Sequence, residues 1–208
     1  MIVHYLVEGE SEAAFLDGWL PRALPGHVHR VYPHEGKGSL PGKLNAPPNP
    51  ERRQLLDQLP AKLRAYGASL DPNTDRVLVL VDADADDCVS LKQRLHAALQ
   101  KCNPRPHAMI RIAVEETEAF YLGDPKAIRA AFKVFDQKAY ATYKQDSICG
   151  TWEVFQRVIK SPYESKVRWG KKMAETLSVA TKGKDRNRSP SFIELQRAVY
   201  ALCGDPWP

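Results

Sequence analysis

The sequence predicts an α/β fold: a mostly parallel four-stranded sheet flanked by helices, followed by a helical C-terminal extension. Short apolar runs rich in β-branched and aromatic residues stand at 2–7, 28–32, 76–82 and 108–114. Helical apolar periodicity fills the gaps between them. The resulting β-α-β-α-β-α-β order has spacings that suit crossover connections, the signature of parallel pairing.

The first run, IVHYLV, ends at Glu8 and Gly9. Ser11 is placed to cap a helix whose apolar face is Ala14, Phe15, Trp19 and Leu20, with Pro21 and Pro25 ending it. Val28 to Tyr32 is a weaker strand, followed by a glycine-rich basic loop, HEGKGSLPGKL, and a Pro/Asn-rich stretch at 45–50. Leu55, Leu56, Leu59, Leu63 and Tyr66 recur at helical spacing, with Pro60 expected to kink or split that helix.

Arg76 to Asp82 is the strongest strand, its unbroken apolar run suiting a central position buried on both faces. Cys88, Leu91, Leu95, Leu99 and Cys102 mark one face of the next helix, so both thiols are expected to be buried rather than metal-bound. After the fourth strand, residues 117–133, 151–160 and a segment carrying Phe192, Leu195, Val199 and Leu202 read as helices. A core over 1–135 and a basic helical extension over 136–208 packed on it follow.

The chain has 208 residues, a net charge of +5 and four cysteines with no C-x-x-C pair. That charge permits a nucleic-acid partner without demanding one. No basic n-region precedes the early acids, and no apolar run approaches the roughly 20 residues that cross a bilayer. A cytoplasmic protein with no membrane partner is expected.

Acids gather at strand ends, where parallel α/β sheets place their sites. The first strand leads to Glu8, Glu10 and Glu12, the third to Asp82, Asp84, Asp86 and Asp87, and the fourth to Glu115, Glu116 and Glu118. Carboxylates held together repel unless a cation neutralises them, and Mg²⁺ takes oxygen ligands of this type. Any single acid can do no more than cap the next helix, as Asp86 or Asp87 would. The convergent set points to metal-dependent phosphoryl transfer. An EF-hand is excluded, because counting from Asp82 its obligatory Gly and Glu positions hold Asp87 and Gln93. An aspartyl-phosphate phosphatase would continue D-x-D with Gly-Thr or Gly-Ser, and D-A-D-A-D-D-C does not. Lys92 lies too far inside its helix to serve as a receiver domain's phosphate-contacting lysine.

The pairing of V-E-G-E-S-E on the first strand with V-D-A-D-A-D on the third resembles the Toprim domain of topoisomerases, primases and the overcoming-lysogenization-defect nucleases. More narrowly, VEGESEAAFL, HEGKGSL, VLVLVDADADDCVSLKQRL and RIAVEETEAFYLGD resemble an uncharacterised bacterial Toprim-like family, DUF4276, over roughly residues 1–135. The resemblance implies Glu8, Asp82 and Asp84 as catalytic residues. One or two Mg²⁺ or Mn²⁺ ions would be held by Glu8, Glu12, Asp82, Asp84, Asp86 and Glu118. Glu115 or Glu118 would supply a late Glu, and Lys138, Lys166 or Lys182 a lysine near a second ion. It further implies a nuclease acting with an AAA- or ABC-type ATPase in phage defence, or a catalytically weak scaffold subunit binding that ATPase. A phosphotransferase acting on small molecules remains a third alternative.

Gly36-Lys37-Gly38-Ser39 lacks phosphate-loop spacing, but Lys37 could reach a substrate phosphate. Between Arg157 and Arg188 ten Lys or Arg stand against three acids. There Arg168, Trp169, Lys171, Lys172, Lys182 and Lys184 are candidates to neutralise phosphates and stack a base, DNA being favoured over RNA. A solvated helix and loop, or a surface for an acidic protein, would have the same composition.

Overall fold

The computed structural model describes residues 1–161 and 165–207. Strands β1 (Ile2–Val7), β2 (Val28–Pro33), β3 (Asp75–Asp82) and β4 (Ala108–Ala113) form one sheet in the order β2-β1-β3-β4. Every pairing is parallel, with Tyr5 opposite both Val31 and Leu78, and Val79 opposite Ile110. The crossovers are α1 (Glu10–Ala23), α2 (Leu55–Ser69) and α3 (Cys88–Gln100). Then come α4 (Glu118–Leu122), α5 (Pro125–Ala131), α6 (Gln137–Ala141), α7 (Thr151–Ile159), α8 (Lys166–Thr176) and α9 (Pro190–Cys203).

Alternation along β3 divides the core. Val77, Val79 and Val81 face α2 and α3, packing with Leu55, Leu59, Leu63, Leu91 and Leu95. Leu78 and Leu80 face the other way, into a cluster with Phe15 and Trp19 of α1, Phe155 of α7, Trp169 of α8 and Phe192 of α9. Both faces are therefore apolar, which is why β3 reads as a continuous hydrophobic run. Residues from the C-terminal third share this second cluster with α1 and the sheet.

Several helix boundaries differ from expectation. Gly9, not Ser11, is the N-cap of α1, and Ser11 lies inside the helix with its hydroxyl donating to Glu12 Oε1 at 2.8 Å. Pro21 lies within α1, which runs on until the Leu24 N–H closes on Leu20 O at 2.9 Å. Pro60 neither ends nor divides α2, because Leu55, Leu56, Leu59 and Leu63 bury one continuous face against the sheet. The 117–133 segment breaks at Gly123, where Asp124 turns to cap α5 by accepting from Ala127 N at 3.0 Å. Of the two thiols expected inside, Cys102 is buried and Cys88 only half-buried.

Helix α8 runs alongside α1 in the same direction, as its contacts show. Gly170 faces Ser11, Gly18 faces Ala174, and Arg22 donates to Ala174 O and to Leu177 O at 3.1 Å. At Gly170 a Cβ would stand 2.6 Å from Ser11 O, an immovable backbone atom. Gly170→Ala should therefore lower stability by about 1–3 kcal/mol from overpacking, despite alanine's better helix propensity. Thermal denaturation checks this: a raised Tm would mean that the two helices are free to move apart.

Candidate functional site

All four strands end at one edge, so the acids following β1 and β3 meet there. The Asp82 N–H donates to Glu8 Oε1 at 2.7 Å, tying the two strand exits together. Asp82 is buried and also accepts from Thr117 Oγ1 at 3.1 Å. Glu12, on the first turn of α1, and Glu118, at the start of α4, are buried too.

These groups feel one another. Burial raises the Asp82 carboxyl well above the usual aspartate range, and the charges of Glu12, Glu8 and Glu118 add to the rise. Burial also pushes Glu8 up to about 8, with Asp84 and Glu12 raising it further and the Asp82 N–H opposing. Glu118 is pushed up to about 7, chiefly by burial, while Lys166 works against the rise. Glu8, Glu12, Asp82 and Glu118 thus form one desolvated, mutually repelling set.

Two lysines answer part of that charge. Lys37, carried by the glycine-rich loop, donates to Ala83 O at 2.8 Å and pairs with Asp84 at 3.0 Å and Asp86 at 2.8 Å. Its loop is held over the first strand exit by the Gly36 N–H to Glu8 O bond, 2.8 Å. Gly38 is needed there, since its φ is +66° and a Cβ would meet Asp57 and Gln54. Lys166, at the start of α8, pairs with Glu116 at 2.9 Å and stands 3.9 Å from Glu118. Of the lysines left open by the sequence, Lys166 is the one ion-paired to these acids among the described residues.

The structure also sorts the acids. Asp87 caps α3 by accepting from Ser90 N at 2.8 Å. Asp86 turns outward to Lys37, which holds its carboxyl below the usual range. Asp84 has a left-handed backbone (φ 50°), a conformation that aspartate tolerates, and its N–H donates to Glu115 O at 2.8 Å. Glu115 is also left-handed (φ 60°). Its carboxylate accepts from Cys149 N, Gly150 N and Thr151 N between 2.8 and 3.2 Å, and from Thr151 Oγ1. Those bonds bring it below its ordinary value against the effect of burial, and they commit it to the start of α7. Of the two late glutamates, Glu118 is therefore the one in the cluster. Among the described residues, no three His, Cys, Asp or Glu side chains are already arranged to hold a metal ion. Lys37 between Asp84 and Asp86, and the Glu8–Asp82 bond, occupy oxygens such an ion would use.

Trp169 requires correction as a base-stacking residue. It is completely buried, edge-on to Phe155 with ring centroids 5.4 Å apart, and has no face to offer a ligand. Lys37 is likewise engaged rather than presented to a phosphate. Arg168, Lys171, Lys182 and Lys184 are exposed, and Lys172 lies 5.0 Å from the centre of the Phe132 ring. The loop that carries Lys182 and Lys184 is tied to α5 by Lys126–Asp185 and to the end of α4 by Arg188 N to Gly123 O at 2.9 Å, rather than to the acids. Glu164, one of the acids of that basic stretch, lies outside the described residues. Sequence reasoning missed Thr117, Trp152 and Ile148. The last two, with Asp84 and Glu116, line a cleft of about 210 Å³ beside the cluster. An aromatic on the first turn of a helix following the acidic exits was the available signal.

The fold is an all-parallel α/β sheet with buried acids at its carboxyl edge, the edge at which open α/β sheets generally place their ligand sites. The chain belongs to the DUF4276 family, a domain of unknown function whose model matches residues 7–199. That match continues well past residue 135, through the helices that supply Lys166 and Phe192. No curated protein and no solved structure matches the chain.

Carboxyls whose folded pKa exceeds the unfolded value stabilise fully below that unfolded value and lose the contribution as pH rises through the folded one. With Glu118 near 7 and Glu8 near 8, the metal-free protein should lose Tm steadily from about pH 5 to pH 8.5. Asp82→Asn, which keeps an acceptor for Thr117, should raise Tm at pH 8 and flatten that slope. A lower Tm in this variant at pH 8 would show that the repulsion is already neutralised in the native protein.

Proposed function

We propose that this protein is a Toprim-type, metal-dependent endonuclease that cleaves nucleic-acid phosphodiesters, working with an ATPase partner in bacterial phage defence. The observation that carries the reading is the mutually repelling set of buried Glu12, Asp82 and Glu118 with half-buried Glu8, which requires positive charge from elsewhere. An all-oxygen donor set fits a hard divalent ion such as Mg²⁺ or Mn²⁺. Glu8, Asp82, Glu12 and Glu118 would hold it, with Asp84 added if Lys37 withdraws. One or two such ions would supply Lewis-acid stabilisation of phosphoryl charge.

The chain's own residues have separable roles in this reading. Glu8, with its carboxyl near 8 and fixed by the Asp82 N–H, is suited to accept or return a proton near neutral pH. Lys166 keeps positive charge against Glu116 and Glu118 where substrate phosphate would approach. Lys37 holds the 82–86 loop in register. Exposed Arg168, Lys171, Lys182 and Lys184 would contact phosphates away from the reacting centre and make binding salt-dependent.

A second reading is favoured by one observation: Lys37 already neutralises Asp84 and Asp86, as a protein lacking its own ion would need. It makes the chain a scaffold subunit that binds the ATPase and has little activity alone. Plasmid cleavage with Mg²⁺ or Mn²⁺, with and without an added candidate ATPase partner, separates the two. The nuclease reading expects metal-dependent nicking or linearisation, with loss of at least about a hundredfold in Asp82→Asn while circular dichroism is unchanged. Full cleavage by that variant would defeat the assignment, and inactivity under every condition would favour the scaffold.

Divalent ion should also act on stability. Mg²⁺ or Mn²⁺ at pH 8 should raise the Tm of the wild type and leave Asp82→Asn nearly unmoved. Equal shifts in both proteins would place the ion elsewhere.

A further inference from the structure

A cavity of about 640 Å³ opens along the outer edge of β4, sharing no residue with the buried carboxylate set. β4 is an edge strand, with α3 on one face of the sheet and α9 on the other, and the groove lies between these helices. Ile112 and Val114 form its floor, Val89 of α3 and Pro190 of α9 its apolar walls. Val89, 64% exposed, is the most exposed large apolar side chain among the described residues. The volume falls within the range of small-molecule sites, roughly 300–1,000 Å³.

The groove carries both signs of charge, and they are engaged differently. Its two acids are already committed: Asp146 accepts from Ser189 Oγ and Ser191 N at 2.7 Å each, and Glu194 from Arg197 at 2.6 Å. Its cations are not. Arg111 is half-buried and donates only to carbonyls, Glu194 O at 2.9 Å and Ile110 O at 2.8 Å, which fix the guanidinium at the groove. Burial lowers its basicity, with only partial relief from Glu194. Lys92 and His96, one turn apart on α3, face the same space, and Lys92 and Arg111 both add to the depression of His96. Lys92 and Arg111, neither of them in an ion pair among the described residues, stand beside an apolar floor and are complementary to an anion on an apolar body, while His96, its basicity lowered by burial, offers a neutral imidazole.

We infer that this groove binds a small amphipathic carboxylate, its alkyl or aryl body along Val89, Ile112 and Val114 and its carboxylate at Arg111 and Lys92. A polyanion would satisfy the cations but leave the apolar floor exposed, and a neutral lipid would do the reverse. The inference is independent of the nuclease reading.

The test is fluorescence titration of the full-length protein with 8-anilinonaphthalene-1-sulfonate, an aryl sulfonate that brightens in apolar sites. A single saturable site is expected, from which octanoate displaces the dye and octanamide does not. Lys92→Glu and Val89→Asp, both at exposed positions, should each weaken dye and octanoate binding by about tenfold or more at unchanged Tm. Asp82→Asn should bind as the wild type does. The inference is overturned by absence of saturable binding, by equal displacement with octanamide, by wild-type affinity in Lys92→Glu, or by binding that Asp82→Asn alters.

Discussion

Glu8, Glu12, Asp82 and Glu118 share a pocket from which water is largely removed, and the arrangement around them follows from that crowding. An uncompensated buried charge costs several kcal/mol, a large part of the roughly 5–15 kcal/mol by which a domain is stable. The set persists only with protons, lysines or a cation in attendance. Parallel topology creates the problem by bringing every strand exit to the same edge. Part of the answer comes from chain segments far from those exits. Lys37 arrives on a glycine loop held by Glu8's own carbonyl, and Lys166 on a helix beginning after residue 160.

That second lysine explains why the C-terminal third matters to the site. Helix α8 lies close against α1 because small residues meet at both crossing points, Gly170 against the Ser11 carbonyl and Gly18 against Ala174. Close approach fixes the start of α8 beside the start of α1, and Lys166 with it beside Glu116 and Glu118 at the start of α4. A family match running to residue 199 has a physical basis here. Without α8 the cluster would lose its half-buried cation, and without α9 the aromatic packing of Phe15, Trp19, Phe120 and Phe192 would have a hole at its centre.

Strand positions were legible because burial on one or both faces writes directly into the run of residues: Val77 to Val81 could hardly be anything else. The acids were legible as a group for the same reason, since each follows a strand. Their division of labour was not. Glu115, Glu116 and Glu118 are near neighbours in sequence, but a left-handed backbone at Glu115 sends its carboxylate to the 149–151 amides. Nothing local to VEETE announces that partner. The misreading of Trp169 differs in kind. K-V-R-W-G-K-K has the composition of a phosphate-binding surface, yet Trp169, Met173 and Leu177 recur at helical spacing and mark the buried face. Periodicity outweighs composition once a segment is a helix, because one face must be buried whatever the other carries.

The same reasoning bears on how the two parts of the acidic site would respond to a cation. Asp84 and Asp86 are exposed and already paired with Lys37, so an ion arriving there would displace a bond that is in place and would gain only the difference. The buried set has no such satisfaction: Lys166 reaches Glu118 only at 3.9 Å, and Asp82 has a single neutral hydroxyl as its side-chain donor. The unmet demand for positive charge is therefore greatest at Asp82, Glu8, Glu12 and Glu118, and the D-x-D loop follows only if Lys37 gives way. On the proposed reading, Lys37 is the element on which the difference between a nuclease and a scaffold would turn. If it releases Asp84, the loop can join the buried acids around a shared ion. If it holds, the exposed half of the motif stays neutralised by the protein itself.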